Sequence, residues 1–187
     1  MNLPQFTTRT VLVGGIGKEQ LRRELDLNGI RMNQAAEDLF ANPPFKTSEQ
    51  CRPLECVEAS IAELGFASGA TFEALSCRII ELGLLLCPLE TGPHLRLQYR
   101  DQPEGLFGNP PTKHRAPPGS LTIASAPLDE LEATPKGFYL RKIEGELWLR
   151  GYWSGPDHIW PPDDRLFFLR QSVERLRLET GESRSAS

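Results

Sequence analysis

Three short segments set an arginine among apolar and aromatic residues: His94-Leu95-Arg96-Leu97-Gln98, Tyr139-Leu140-Arg141-Lys142-Ile143 and Trp148-Leu149-Arg150-Gly151-Tyr152. Side chains alternate along an extended strand. Read that way, each segment turns leucine to one face and arginine to the other. The arginine face gathers Arg96, Arg141 and Arg150 with Tyr139, Trp148 and Tyr152, and alternation sets His94 beside Arg96. A guanidinium is a rigid fork of donors suited to carboxylate or phosphate, and aromatic neighbours offer stacking to a flat ring. These six residues are the expected ligand-binding set, and His94 is the candidate acid–base group. The same pattern also covers the solvated side of a sheet, with arginine stems lying over rings. The 25 acidic residues are enough to supply internal partners.

The geometry of this face depends on one turn. With Glu144 and Gly145 as a two-residue hairpin loop, Ile143 pairs with Glu146, Arg141 faces Trp148 and Tyr139 faces Arg150. Leu140 then faces Leu149 and Lys142 faces Leu147 on the other side, with Phe138 beside Gly151. A bulge at Gly145 would shift every pair by one.

Other motifs carry less. Gly14-Gly15-Ile16-Gly17-Lys18 resembles a phosphate loop only in its glycines, because Leu12 stands where the first glycine is required and Glu19 follows the lysine. A dinucleotide fingerprint fails at Gln20, so the turn reads as a connector. The cysteines at 51, 56, 77 and 87 lack zinc-ribbon spacing, and Cys77 and Cys87 read as core. His158 lies near Asp157, Asp163 and Asp164 without a recognisable catalytic spacing, and there is no Gly-x-Ser-x-Gly or His-Glu-x-x-His. No metal or cofactor is expected, and enzymatic activity stays open.

The elements that position these residues read as α+β. Residues 9–13 form a strand, and helices follow at about 18–27 and, capped by Asn33, at about 34–41, making a helical hairpin. Its second helix carries two acids and no base, a poor reader of DNA. Residues 55–64 read as a short helix from their alanines and glutamates, and a firmer helix spans 71–82 behind the Thr71 cap. Residues 84–87, 94–99 and 120–125 read as extended, the first two split by Pro88 and Gly92-Pro93. The stretch 101–119 holds five prolines and reads as a long loop with a basic tip at Lys113-His114-Arg115. The 137–152 hairpin follows, then a strand at 166–169 and a helix to Leu178. The expected fold is a single α+β domain over 1–178. Its antiparallel or mixed sheet of five to six strands carries the 71–82 helix and the N-terminal helical pair on one face. Residues 179–187 read as a disordered tail.

A net charge of −4 argues against a chain that coats nucleic acid, so any anion recognition is local. The start has no basic leader region, and the apolar run Leu82–Leu89 is far short of the ~20 residues of a membrane span. The expected setting is the cytoplasm, with reduced thiols and no membrane partner. The leading functional expectation is a binding or regulatory protein for an anionic small molecule, nucleotide or partner protein. The alternatives are a small enzyme on an anionic substrate, with His94 as acid–base, and a structural or assembly subunit anchored by Trp148 and Tyr152.

Overall fold

The computed structural model describes residues 6–105 and 117–171. Among them lie β1 (Thr7–Val13), α1 (Lys18–Leu27), β2 (Arg31–Met32), α2 (Gln34–Ala41), β3 (Arg52–Ser60) and α3 (Phe72–Glu81). These are followed by β4 (Leu84–Leu85), α4 (Thr91–Gln98), β5 (Leu121–Ile123), β6 (Gly137–Ile143), β7 (Glu146–Tyr152) and β8 (Arg165–Arg170). The class is α+β as expected, but the described residues form one mixed sheet of eight strands, not five to six. The order is β1-β3-β8-β5-β6-β7-β2, with β4 also pairing β8. Only β5–β8 and β2–β7 are parallel. The helix expected through Leu178, the tail at 179–187 and the Lys113–Arg115 tip lie outside the described residues.

Both faces of the sheet carry core. On the first, Val11, Val13, Leu54, Cys56, Phe138, Leu140 and Phe167 pack against Leu21 and Leu25 of α1, Leu39 and Phe40 of α2, and Leu95 of α4. On the second, Val57, Ala59, Leu166 and Phe168 pack against Leu75 and Ile79 of α3 and against Trp160. The expected single helical layer is therefore corrected: α3 lies opposite the N-terminal pair. The cause is in β3 and β8, which are apolar on both sides and need cover on both. Leu75 and Ile79 take the inward face of α3, which leaves Cys77 exposed rather than in the core. Cys87 is buried as expected.

Two segments exchange their expected conformations. Residues 55–60 belong to β3, hydrogen-bonded between β1 and β8, and only residues 61–65 form a turn. Two-sided pairing outweighs the modest helix preference of alanine and glutamate. Residues 94–98 lie in α4, not in a strand. Gly92-Pro93, read as a break, sits in the first turn of that helix, where proline sacrifices no intrahelical donor. The helix is buried over residues 91–96, so it has no polar stripe to reveal its period.

The two expected helix caps and the hairpin register are found. Thr71 Oγ1 accepts from Ala74 N–H at 3.3 Å and caps α3. Asn33 Oδ1 accepts from Ala36 N–H at 3.1 Å and caps α2, although β2 intervenes between α1 and α2. The hairpin register is the expected one at all five pairs, from Phe138↔Gly151 to Lys142↔Leu147, with Ile143↔Glu146 closing it. Glu144 and Gly145 have φ of 51° and 76°, the left-handed pair of a type I′ turn.

Candidate functional site

The β6–β7 hairpin turns Leu140 and Leu149 into the first core. Alternation then directs Tyr139, Arg141, Trp148 and Arg150 to the second face. There Leu75 and Ile79 of α3 share a core with Val57 and Ala59 of β3 and Leu166 and Phe168 of β8, and Tyr152 of the hairpin packs against it. The pair Arg141↔Trp148 lies beside Tyr139↔Arg150, so cation and aromatic alternate both along and across the strands. The Arg150 guanidinium lies 5.2 Å from the Trp148 ring centroid and 6.0 Å from that of Tyr139. Such contacts contribute about 0.5–1 kcal/mol each when exposed. Tyr139 and Arg141 are buried, while Trp148 and Arg150 are partly exposed.

The electrostatics of this face are mutual. Burial raises the Tyr139 phenol above its ordinary range, opposed by the charges of Arg150 and Arg141 and by a hydrogen bond with Arg150. Burial also lowers Arg141, with the Arg150 charge adding to the effect and Tyr139 opposing it. Two cations thus sit close enough on one patch to feel each other, and Arg150 Nε is buried with no hydrogen-bond partner among the described residues.

Two further residues complete the patch and were not singled out from the sequence. Parallel pairing of β2 with β7 sets Arg31 opposite Trp148, extending that row to Arg31–Trp148–Arg141. The Arg31 guanidinium is 5.8 Å from the Trp148 centroid and 2.6 Å from Glu146 Oε1. Ile30-Arg31-Met32 repeats the apolar–arginine–apolar pattern. Two paired residues are too short a strand to stand out by alternation.

The other expected site residues lie elsewhere. Tyr152 shares the face but packs edge-on against Trp160, centroids 5.6 Å apart, within the α3-side core. Arg96 is fully buried in α4 on the first face of the sheet. Its Nη1 donates to Gln102 Oε1 at 2.5 Å and its Nη2 to the Tyr99 carbonyl. Gln102 in turn donates to the carbonyls of Gly119 and Leu140 at 3.1 and 3.3 Å. Burial pushes Arg96 down to about 10. Arg96 therefore pins the ends of the 101–119 segment to β6 and is not brought together with Arg141 and Arg150.

His94 is also buried in α4. Its Nε2 accepts from Gly14 N–H at 3.1 Å, which makes the ring neutral with its proton on Nδ1. Burial lowers its pKa, against the opposing charge of Glu90, whose Oε2 is 3.8 Å away. Glu90 also accepts from Ser48 N–H at 2.9 Å and from Ser48 Oγ at 2.5 Å. Gly15 N–H donates to the Ser48 carbonyl at 2.9 Å. The first two amides of the glycine turn are thus consumed internally, which fits a connector. Gly14 has φ of +83°, and a Cβ there would lie 2.4 Å from the Gln50 carbonyl oxygen, so this contact requires glycine.

Among the described residues no group of three or more His, Cys, Asp or Glu side chains is placed to hold a metal ion. None of the described helices is long and apolar enough to cross a membrane. No family model, curated protein or solved structure matches this chain.

Proposed function

We propose that this chain is a small cytosolic binding or regulatory protein whose β6–β7 face takes an anionic ligand, with Arg150 and Arg141 as its cations and Trp148 and Tyr139 as their supports. One contrast carries the reading. Arg22, Arg31, Arg78 and Arg165 each hold a carboxylate, whereas Arg150 holds none among the described residues and lies against two rings. A cation stacked in place, with donors left over, is suited to a partner that brings its own negative charge. The enzyme alternative gains no support, because the His94 Nε2 lone pair is taken by a backbone amide and His94 packs on the other side of the sheet. The assembly alternative loses Tyr152 as an anchor to its contact with Trp160.

The test is replacement of Arg150 and Arg141 by alanine, singly and together, with Arg96 left intact. Circular dichroism establishes that each variant folds, and mass spectrometry compares the small anions retained by variant and wild type on native purification. The expected result is a folded R150A that loses an anion held by the wild type. A folded double variant that keeps every ligand of the wild type would end this reading.

A further inference from the structure

Resting on that binding reading, we infer that the ligand presents an oxyanion edge-on to Arg150, and that no aromatic ring of the ligand stacks on this face. The rings of the patch are already used by the protein's own cations. Guanidiniums of Arg150 and Arg31 lie over Trp148, and Arg150 also lies over Tyr139. What Arg150 lacks among the described residues is a carboxylate of the kind that Arg22, Arg31, Arg78 and Arg165 each hold. Its Nε has no hydrogen-bond partner there either, and an unmet charged donor is costly. A flat ring does not neutralise the partly exposed guanidinium, whereas a carboxylate or phosphate does.

The surroundings point to the same chemistry. In the observed register Arg141 faces Trp148 and Arg150 faces Tyr139, so the two cations are diagonal neighbours across the hairpin, with backbones about 7–8 Å apart. One oxyanion approaching Arg150 therefore lowers the repulsion between both. The patch already shows this interaction at its rim, where the Glu146 carboxylate meets Arg31 at 2.6 Å. That pair occupies Arg31 and leaves Arg150 as the donor for a ligand.

The experiment is an NMR titration of the full chain at low ionic strength with inorganic phosphate, adenosine monophosphate and adenosine. It follows the Arg150 Nε–H and Trp148 indole N–H signals, with R150Q as the control. Phosphate and the nucleotide are expected to shift Arg150 Nε–H with affinities within about threefold of each other, adenosine is expected to shift neither signal, and R150Q is expected to weaken phosphate by about tenfold or more. A nucleotide bound more than tenfold tighter than phosphate, with adenosine competing, would make ring stacking the determinant. That outcome overturns this inference and leaves the binding face standing. No shift with phosphate or nucleotide likewise overturns the oxyanion. Undiminished phosphate binding in folded R150Q would overturn the inference and the proposed face together.

Discussion

Arg96 and Arg150 show how little a residue type says without its surroundings. Each follows a leucine in a strand-like run. Arg96 is enclosed and spends its donors on Gln102 and the Tyr99 carbonyl, while Arg150 reaches a partly open face. Arg96→Ala removes a large buried side chain and strands the Gln102 carbonyl, an expected loss of about 2–4 kcal/mol. Chemical denaturation measures that loss, and phosphate affinity per folded molecule stays unchanged. Arg150→Ala reverses the pattern, with near-wild-type stability and lost binding. His94 gives a prediction in pH. Its folded pKa is depressed from the usual 6.5, so as pH falls through 6.5 the unfolded chain takes up a proton that the native ring resists, and stability falls. Gln at 94 retains an acceptor for Gly14 N–H without titrating. The melting temperature of H94Q is expected to decline less than that of wild type between about pH 6.5 and 5. His158, also lowered by burial, supplies a residual slope of the same sign. Equal slopes in wild type and H94Q would remove His94 as the source.

At the scale of elements, the hairpin was legible because its signals are local and agree. Two β-rich runs, a two-residue loop ending in glycine and leucines on one face together specify a register, and Arg141↔Trp148 and Tyr139↔Arg150 both follow from it. The capped helices α2 and α3 were legible for the same reason. β3 and α4 were not, because tertiary contacts decide them: one is paired on both edges, and the other is buried through its first turns. Arg31 was missed because its place depends on a two-residue parallel pairing with distant β7. The turn itself has room for improvement. Glu144 holds φ of 51°, a conformation asparagine tolerates better. Glu144→Asn is expected to stabilise by about 0.5–1 kcal/mol, read as a higher denaturation midpoint with unchanged slope. Gly151 allows no such freedom. Asn33 Oδ1 accepts from its N–H at 2.8 Å and Asn33 Nδ2 donates to its carbonyl at 3.0 Å, which holds the start of α2 against β7. A Cβ there would lie 2.5 Å from the Ala35 carbonyl carbon. Gly151→Ala therefore pushes α2 off the strand, at about 1–3 kcal/mol.

At the scale of the molecule, the two cores share their walls. β3 gives Leu54 and Cys56 to one and Val57 and Ala59 to the other, and β8 divides Phe167 from Leu166 and Phe168 in the same way. Neither core can lose its wall without exposing the back of the other, so loss of α3 packing and loss of α4 packing should reach the same unfolded state. Ile79→Ala, on the α3 side, and Leu95→Ala, on the α4 side, each remove a fully enclosed side chain at about 2–5 kcal/mol. Each is expected to lower one shared transition, by about 2–4 °C for each kcal/mol. Calorimetry with far- and near-ultraviolet circular dichroism tests this, because the probes coincide only if unfolding is all-or-none. Two resolved transitions, one moved by Ile79→Ala and the other by Leu95→Ala, would mean that the cores unfold separately. The arginine face would then ride on the half that includes the hairpin, and its ligand would stabilise that transition alone. With a single transition, a ligand at Arg150 raises the melting point of the whole sheet, including α3, which it does not touch.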